Sequence, residues 1–463
     1  MKSIASIILA AGKGTRMKSS LPKALHKVAG NSMISYSLEL LKSLGIEKKI
    51  VVIGKKADKI KEEVGNIDPS VTFALQEEQL GTAHAIQQAE SCLTGFSGTI
   101  LILYTDVPLL RSSTIKDLID SHTKCNSNCT VLTAFLDNPA GYGRIIRDTK
   151  GIFTKIVEQR DLAANQEQVN EVNAGIYCFD SEKLFSMLKL VKNDNSQKEY
   201  YLTDVIKILL KNGNTVSTVT VQDKEEILGV NTRLDLSSIS RILYKRNATE
   251  HMLNGVTIVD ENNTYIEKSV QIGQDTVIYP FTIITEGSVI GSNCHIGPYS
   301  HIVNSSIGQE TSIYSSVVEK SKIGIRTNVG PYTHIRPGTI IGDEVRIGNY
   351  VEVKKSFIDN GSKVGHLTYI GDAKLGKKVN IGAGTITCNY DGKNKNPTTI
   401  KDGVFIGSNN SLVAPVTIEK DSYTAAGSTI TTNVPEKSLG IARAKQKNIP
   451  GWVEKKSKKK NTE

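Results

Sequence analysis

The sequence predicts two folds in one chain: an α/β domain on a mostly parallel sheet, then a left-handed parallel β-helix of hexapeptide repeats. Three observations carry this. Strand-like and helix-like segments alternate over the first half, an aliphatic residue returns every six positions over much of the second, and a glycine-free polar stretch lies between. The expected boundaries are an α/β domain over 1–231, a connecting helix over 232–254 and the β-helix over 255–463.

In the first part, Ser6–Leu9, Lys49–Ile53, Val71–Leu75, Thr99–Tyr104, Thr130–Phe135 and Gly175–Phe179 are β-branched and aromatic, the composition of strands. Met33–Leu44, Ala83–Ala89 and Ser113–His122 show helical spacing between them. Such alternation places ligands beyond the C-terminal ends of the strands. Leu234–Arg246, polar and charged without glycine, reads as the connecting helix.

The second part keeps time by six. Ile266, Ile272, Ile278, Ile284, Ile290, Ile296 and Ile302 are in strict step. After a slip of register the count resumes at Ile323, Val329, Ile335, Ile341, Ile347 and Val353, and again at Ile406, Leu412 and Ile418. This period fits neither a helix nor one amphipathic strand, whose repeats are about 3.6 and 2 residues. It fits a coil whose repeat unit is a short strand plus a tight turn, with the aliphatic side chain pointing inward. The small residue that often follows, as in Ile290-Gly291 or Ile347-Gly348, leaves room where a Cβ would clash.

Bulk properties narrow the function. With 463 residues, two domains are the default. The net charge of +10 is diluted along the chain, apart from Lys455, Lys456, Lys458, Lys459 and Lys460, which read as a solvated, disordered end or, in the alternative, a contact for an anionic ligand or polymer. There is no interleaved aromatic and basic ladder, so a nucleic-acid partner is not expected. Six scattered cysteines, with Cys125 and Cys129 as an isolated pair, argue against zinc and for a reduced, cytoplasmic setting. The apolar run at the start leads into a glycine loop and reads as a first strand, and no stretch is long enough to span a membrane.

The first strand ends in Leu9-Ala10-Ala11-Gly12-Lys13-Gly14-Thr15-Arg16-Met17, followed by Pro22-Lys23. Glycines here let backbone N–H groups close round a phosphate, while Arg16 and Lys23 neutralise its charge. That string resembles the signature of sugar-nucleotide pyrophosphorylases. Gln76 and Gln79-Leu80-Gly81-Thr82-Ala83 look like their uracil-recognition segment, and Tyr104-Thr105-Asp106 follows a buried strand where these enzymes place a metal-binding aspartate. Gly141-Tyr142-Gly143-Arg144, Ile156-Val157-Glu158, Glu171-Val172-Asn173-Ala174-Gly175 and Gly229-Val230-Asn231 resemble the sugar-binding motifs and the second metal ligand. The family commonly has glycine where this chain has Thr105.

The resemblance implies a Rossmann-like domain of the nucleotidyltransferase type. On it, UDP-N-acetylglucosamine is bound by Leu9, Ala10, Ala11, Gly12, Lys23, Gln76, Gly81, Thr82, Tyr104, Thr105, Asp106, Gly143, Glu158, Asn173 and Asn231. Arg16 and Lys23 serve catalysis, and Asp106 with Asn231 holds Mg²⁺. Hard oxygen ligands and cations suit the attack of one phosphate on another, which needs no protein nucleophile.

Further along, one stretch of the β-helix departs from structural residues. It holds His334-Ile335-Arg336-Pro337-Gly338, Val351-Glu352-Val353-Lys354-Lys355, Gly365-His366-Leu367-Thr368-Tyr369, and the string from Asn380 to Gly392. Arg336 and Lys354 lie 18 residues apart, three hexapeptides, so they should stack about 4.8 Å apart on one face and call for an anion. Glu352 and His366 are 14 residues apart, which allows a carboxylate–imidazole pair.

These motifs look like the acetyltransferase half of the bacterial bifunctional N-acetylglucosamine-1-phosphate uridyltransferase/glucosamine-1-phosphate acetyltransferases. The resemblance, which covers nearly the whole chain, implies that His366 is the general base and Glu352 orients it. It also implies that Arg336, Lys354, Tyr369, Asn380 and Asn389 hold glucosamine-1-phosphate. Ala383, Asn389, Tyr390, Ser408, Ala426 and Arg443 then bind acetyl-CoA. The oxyanion of acyl transfer needs a donor, which a backbone N–H near Ala383 or the Tyr390 hydroxyl can supply. Acetylation comes first; UTP then converts N-acetylglucosamine-1-phosphate to UDP-N-acetylglucosamine for cell-wall precursors. Such β-helices are homotrimers, and the loop Cys388–Asp402 reads as a reach to a neighbour. The rival reading is a single-function sugar-1-phosphate nucleotidyltransferase with a regulatory β-helix, which would lack Arg336, Lys354 and His366.

Overall fold

In the computed structural model, residues 3–12, 14–55 and 57–460 are described; Lys13 of the glycine loop and the side chains of Lys458, Lys459 and Lys460 lie outside the described residues. The chain forms two compact units, Met1–Leu243 and Tyr244–Glu463. The helix Arg233–Leu253 carries the backbone from the first to the second.

The main run of the first unit's sheet orders its strands Val216–Thr220, Cys129–Phe135, Glu171–Asp180, Gly98–Tyr104, Ser3–Leu9, Lys48–Ile53 and Thr72–Leu75. Glu171–Asp180 is antiparallel to both neighbours; the other pairings of this run are parallel. Helices cover both faces, so the central strands are apolar on both sides. Ile7, Ile8, Ile50, Val51, Ile102 and Leu103 are all buried. The glycine loop leaves the C-terminal end of Ser3–Leu9 beside that of Gly98–Tyr104, in the register Leu9↔Tyr104. This adjacency brings Gly12, residues 14–23 and Asp106 to the C-terminal edge of the sheet.

The second unit is a parallel β-helix. Each short strand pairs with the one a full coil later, as in Val277↔His295, Ile283↔His301 and Gln271↔Val289, giving three columns of strands. One column of inward aliphatics runs through the unit. The slips seen in the sequence are short coils: His301 pairs with Val317 and Ser306 with Lys322, only 16 residues on. Ile307, Ile313 and Val318 keep the core continuous through that region, and Ile358, Val364, Ile370, Leu375 and Ile381 through the next. Corners are turned by residues with positive φ, among them Tyr299, Tyr332, Tyr350 and Leu367. The lysine-rich end, expected to be disordered, forms a helix over Trp452–Lys460, in which Lys456 Nζ lies 5.0 Å from the centre of the Trp452 ring.

Coils approach so closely that some glycines are obligatory. A Cβ on Gly348 would fall inside the van der Waals radius of the Gly365 carbonyl oxygen in the next coil. Gly348→Ala is therefore expected to destabilise the second unit by roughly 3 kcal/mol, the upper end for overpacking a dense interior. Denaturant unfolding checks this; a transition at the wild-type midpoint would show that the coils can part without cost.

Candidate active sites

In the first unit, the strand ends open onto two adjoining clefts of about 450 and 650 Å³. The first is lined by Leu9, Ala10, Ala11, Gly12, Lys23, Gln76 and Thr105 among others; the second by Gly143, Glu158 and Asn173. Thr82, Tyr104, Asp106 and Asn231 face both. The structure thus gathers every residue expected to bind the nucleotide sugar. Gly14, at φ 60°, is needed for the loop to fold against Lys23: a Cβ there would stand 2.8 Å from the Lys23 Cβ.

At the junction of the clefts, Lys23 Nζ donates to the Asp106 carboxylate and to Asn231 Oδ1 (2.9 Å), and Arg16 Nη2 donates to the same Asn231 oxygen at 2.9 Å. Two hard oxygens thus converge on a cation. The backbone locks the pair together, since the Val230 N–H donates to the Asp106 carbonyl at 2.8 Å. Asp235 accepts the N–H groups of Asn231 (2.9 Å) and Thr232 (2.8 Å), and Thr232 Oγ1 accepts the Asp235 N–H at 3.2 Å. This is a capping box at the start of the long helix, and it sets Asn231. Thr232-x-x-Asp235 was its signal in the sequence.

The floor is made by the neighbouring strands. Gln76 Nε2 donates to the Gly81 carbonyl at 3.1 Å, and the Gln79 amide donates to the Ala11 carbonyl, closing the uracil segment onto the glycine loop. Thr105 is buried; its Oγ1 donates to the Leu9 carbonyl at 3.4 Å, so its hydroxyl turns back onto the first strand. Burial pushes the Glu158 carboxyl above its ordinary range, helped by Asp161 and Asp204 and opposed by the hydrogen bond from Thr203 (3.1 Å). Burial raises the Tyr104 phenol as well, with Glu158 and Asp106 adding to it. Asn173 Nδ2 donates to the Tyr177 hydroxyl at 2.6 Å, across the bulge in Glu171–Asp180. Glu199 lines both clefts and was not anticipated; it stands just before the Tyr200–Thr203 segment that packs beside Gly81 and Glu158.

In the second unit the chemistry-bearing residues follow the edges of the coil. The register His334↔Glu352 and Ile335↔Val353 puts Arg336 and Lys354 at equivalent places in successive coils. Arg336 Nη1 donates to Glu352 Oε1 at 2.7 Å, which holds the guanidinium above its usual range. Below it, His334 Nε2 lies 2.7 Å from Glu319 Oε2. Lys395, from the inserted loop, joins the group: the adjacent Lys354 ammonium depresses its pKa. Three cations therefore meet on one face. Lys395 was missed in the sequence because it lies in an insertion that breaks the hexapeptide count.

Glu352 does not serve His366 in this structure, contrary to the sequence expectation. The strand Arg346–Lys354 bends at Tyr350 (φ 57°) and Lys363–Gly371 at Leu367 (φ 49°). Asn349 and His366 precede their corners, whereas Glu352 and Tyr369 come after theirs; the pairs are Asn349↔His366 and Glu352↔Tyr369. The coil here is 17 residues long, so a 14-residue separation crosses a corner. The atom that meets His366 Nδ1 is Asn349 Oδ1, at 2.7 Å.

The same edge continues upward. The Gly384 N–H donates to the His366 carbonyl (3.4 Å), the Asn409 N–H to the Ala383 carbonyl (2.7 Å) and the Gly427 N–H to the Ser408 carbonyl (2.8 Å). His366, Ala383, Ser408 and Ala426 thus form one column about 14 Å long at the usual strand spacing. Arg443 closes its far end by donating to the Ala426 carbonyl at 2.6 Å. Asn389 is buried and gives its amide to Asp372, seating the loop, while the Tyr390 hydroxyl donates to the Gly392 carbonyl at 2.7 Å. Asn380 stands apart: it pairs with Lys363 and Phe405, on a different face from Tyr369 and Lys354.

Comparison with known proteins agrees with this division. The Nucleotidyl transferase family matches residues 5–229, the GMPPB C-terminal domain residues 260–354, and the Hexapeptide repeat of succinyl-transferase residues 397–432. A protein of Geobacillus sp. (strain WCH70) named bifunctional protein GlmU is 50% identical over 457 residues, covering 99% of both chains. Proteins of the same name from Carboxydothermus hydrogenoformans and Clostridioides difficile are 50% and 48% identical, over 96% and 98% of this chain and 99% and 98% of their own.

Proposed function

Because the chain belongs to the family of bifunctional GlmU proteins, we propose that its two units catalyse successive steps toward UDP-N-acetylglucosamine, acetylation of glucosamine-1-phosphate and then uridylyl transfer. The observation that carries the first step is the single edge on which His366 stands at the foot of the Ala383–Ser408–Ala426 column, beside three cations on the next face.

In that step the sugar phosphate docks on Arg336, Lys354 and Lys395, where its charge relieves the repulsion between the two lysines. Phosphate and Glu352 then compete for the Arg336 guanidinium. Acetyl-CoA extends along the column with Arg443 at its far end. His366 removes a proton from the sugar ammonium, because only the free amine has a lone pair. The amine attacks the thioester carbon and the C–N bond forms; as the adduct collapses the C–S bond breaks, and the proton still on nitrogen passes to the departing sulfur, so that the amide and the CoA thiol are released. With the Tyr390 hydroxyl engaged on Gly392, the Ala383 N–H, which has no hydrogen-bond partner among the described residues, is the oxyanion donor.

In the second step a phosphate oxygen of N-acetylglucosamine-1-phosphate attacks the α-phosphorus of UTP, and pyrophosphate departs as the α–β bond breaks. Gln76, Gly81 and the Leu9–Gly12 segment orient the nucleotide, and Gly143, Glu158 and Asn173 the sugar. Asp106 and Asn231 fit a Mg²⁺ ion and would hold it: both offer oxygen and both already face a cation. When bound, that ion supplies charge neutralisation across the phosphates. Arg16 and Lys23 take up the charge of the leaving pyrophosphate.

The placement of Asn380 on another face supports a homotrimer, in which a neighbour's Asn380 completes the acetyltransferase site. No helix among the described residues is long and apolar enough to cross a membrane, in keeping with work in the cytoplasm, where acetyl-CoA and UTP are available. The test is to mix the protein with acetyl-CoA, glucosamine-1-phosphate, UTP and Mg²⁺ and measure free thiol and pyrophosphate. Appearance of both supports the reading; pyrophosphate alone from pre-acetylated sugar would favour the nucleotidyltransferase with a regulatory β-helix.

A further inference from the structure

We propose that Asn349 is the positioning residue of the acetyl-transfer base: its side-chain oxygen fixes His366 in the tautomer whose Nε2 is free to accept a proton. The inference rests on the reading of His366 as that base. Asn349 Oδ1 and His366 Nδ1 are 2.7 Å apart, the residues are register partners one coil apart, and each immediately precedes a left-handed corner residue. Neutral imidazole has one N–H. If Nδ1 donates it to the amide oxygen, the lone pair must lie on Nε2; with the amide reversed, the lone pair would lie on Nδ1 and the base would be blocked.

The backbone seats on both sides are held. The His366 carbonyl accepts from Thr368 Oγ1 at 2.6 Å and from the Gly384 N–H, and Gly348, next to Asn349, abuts Gly365. Besides His366, the ionisable groups on the two flanking strands are Arg346, Tyr350, Glu352, Lys354, Lys363 and Tyr369. The carboxylate among them, Glu352, is engaged by Arg336. An amide suits the task because it orients the ring without adding a charge that would favour the imidazolium.

The experiment compares full-length wild type, Asn349→Ala and Asn349→Asp for thiol release from acetyl-CoA and glucosamine-1-phosphate across pH. Asn349→Ala is expected to lower kcat by ~10–100-fold with KM for acetyl-CoA nearly unchanged, a typical effect of removing a group that orients a functional histidine. Asn349→Asp, which restores an acceptor and adds charge, is expected to recover most of kcat and move the acidic limb of the profile to higher pH. An alanine variant within about two-fold of wild type would overturn the proposal. So would an aspartate variant as slow as alanine with an unmoved limb, the outcome of a merely structural role. Wild-type protein that releases pyrophosphate but no thiol would instead refute the reading of His366 itself.

Discussion

Replacing His366 by alanine is expected to cut thiol release by ~10³-fold or more while leaving pyrophosphate release from N-acetylglucosamine-1-phosphate at the wild-type rate. The size comes from the role. Positioned general bases contribute about 10²–10⁴-fold, and here the alternative acceptor is water, because no other imidazole stands on the Ala383–Ser408–Ala426 edge. The selectivity comes from the fold. His366 belongs to the β-helix unit, and among the described residues its hydrogen-bond partners, Asn349, Thr368 and Gly384, belong to that unit too. The side chain is exposed, so its removal opens no core cavity and thermal unfolding should be unchanged. Loss of both activities would refute independent sites; retention of thiol release would remove His366 from the chemistry.

Asp106→Ala is the complementary case, with pyrophosphate release expected to fall by ~10³-fold and thiol release unaffected. In the proposed function the Asp106 carboxylate is the charged oxygen offered to the metal at the point where the two clefts meet, and Asn231 supplies only a neutral amide. Its loss leaves the Lys23 ammonium without a counter-charge and leaves a divalent ion a single protein oxygen. Mg²⁺ titration discriminates the cause. A metal role predicts that excess Mg²⁺ recovers part of the rate, whereas full activity at ordinary Mg²⁺ would exclude Asp106 as a ligand. Asp106→Asn should fall between the two, since it keeps an oxygen but not the charge.

Much of the molecule was legible in its sequence, for reasons that differ between the units. In the first, short motifs carry both chemistry and place: Gly12–Lys23 and Tyr104–Asp106 each come directly after a strand, and parallel neighbours deliver their C-terminal ends to one edge. The ordered set therefore assembled as expected, and Thr105 is accommodated by turning its hydroxyl to Leu9. Glu199 escaped notice because it acts through what it adjoins, and a lone acidic residue has no spacing to announce that; Asp235 had a signal, the Thr232-x-x-Asp235 spacing of a capping box, inside a stretch read only as a connecting helix. In the second unit the residue types were visible but their pairing was not. Glu352 looked like the partner of His366 by count; a corner at Tyr350 carries it round to Arg336.

Period and composition were enough to determine the architecture of each half and the kinds of group available for phosphate and acyl chemistry. Those properties are local: a six-residue rhythm or a glycine loop needs no knowledge of distant chain. Which groups meet was decided only by the tertiary structure. Coils of 16, 17 and 18 residues occur, with one of 25 at the inserted loop, and the length of each coil fixes which residue stands over which in the next. Register is thus set coil by coil at the corners: a 17-residue coil gives His366 to Asn349, and the inserted loop brings Lys395 to Lys354.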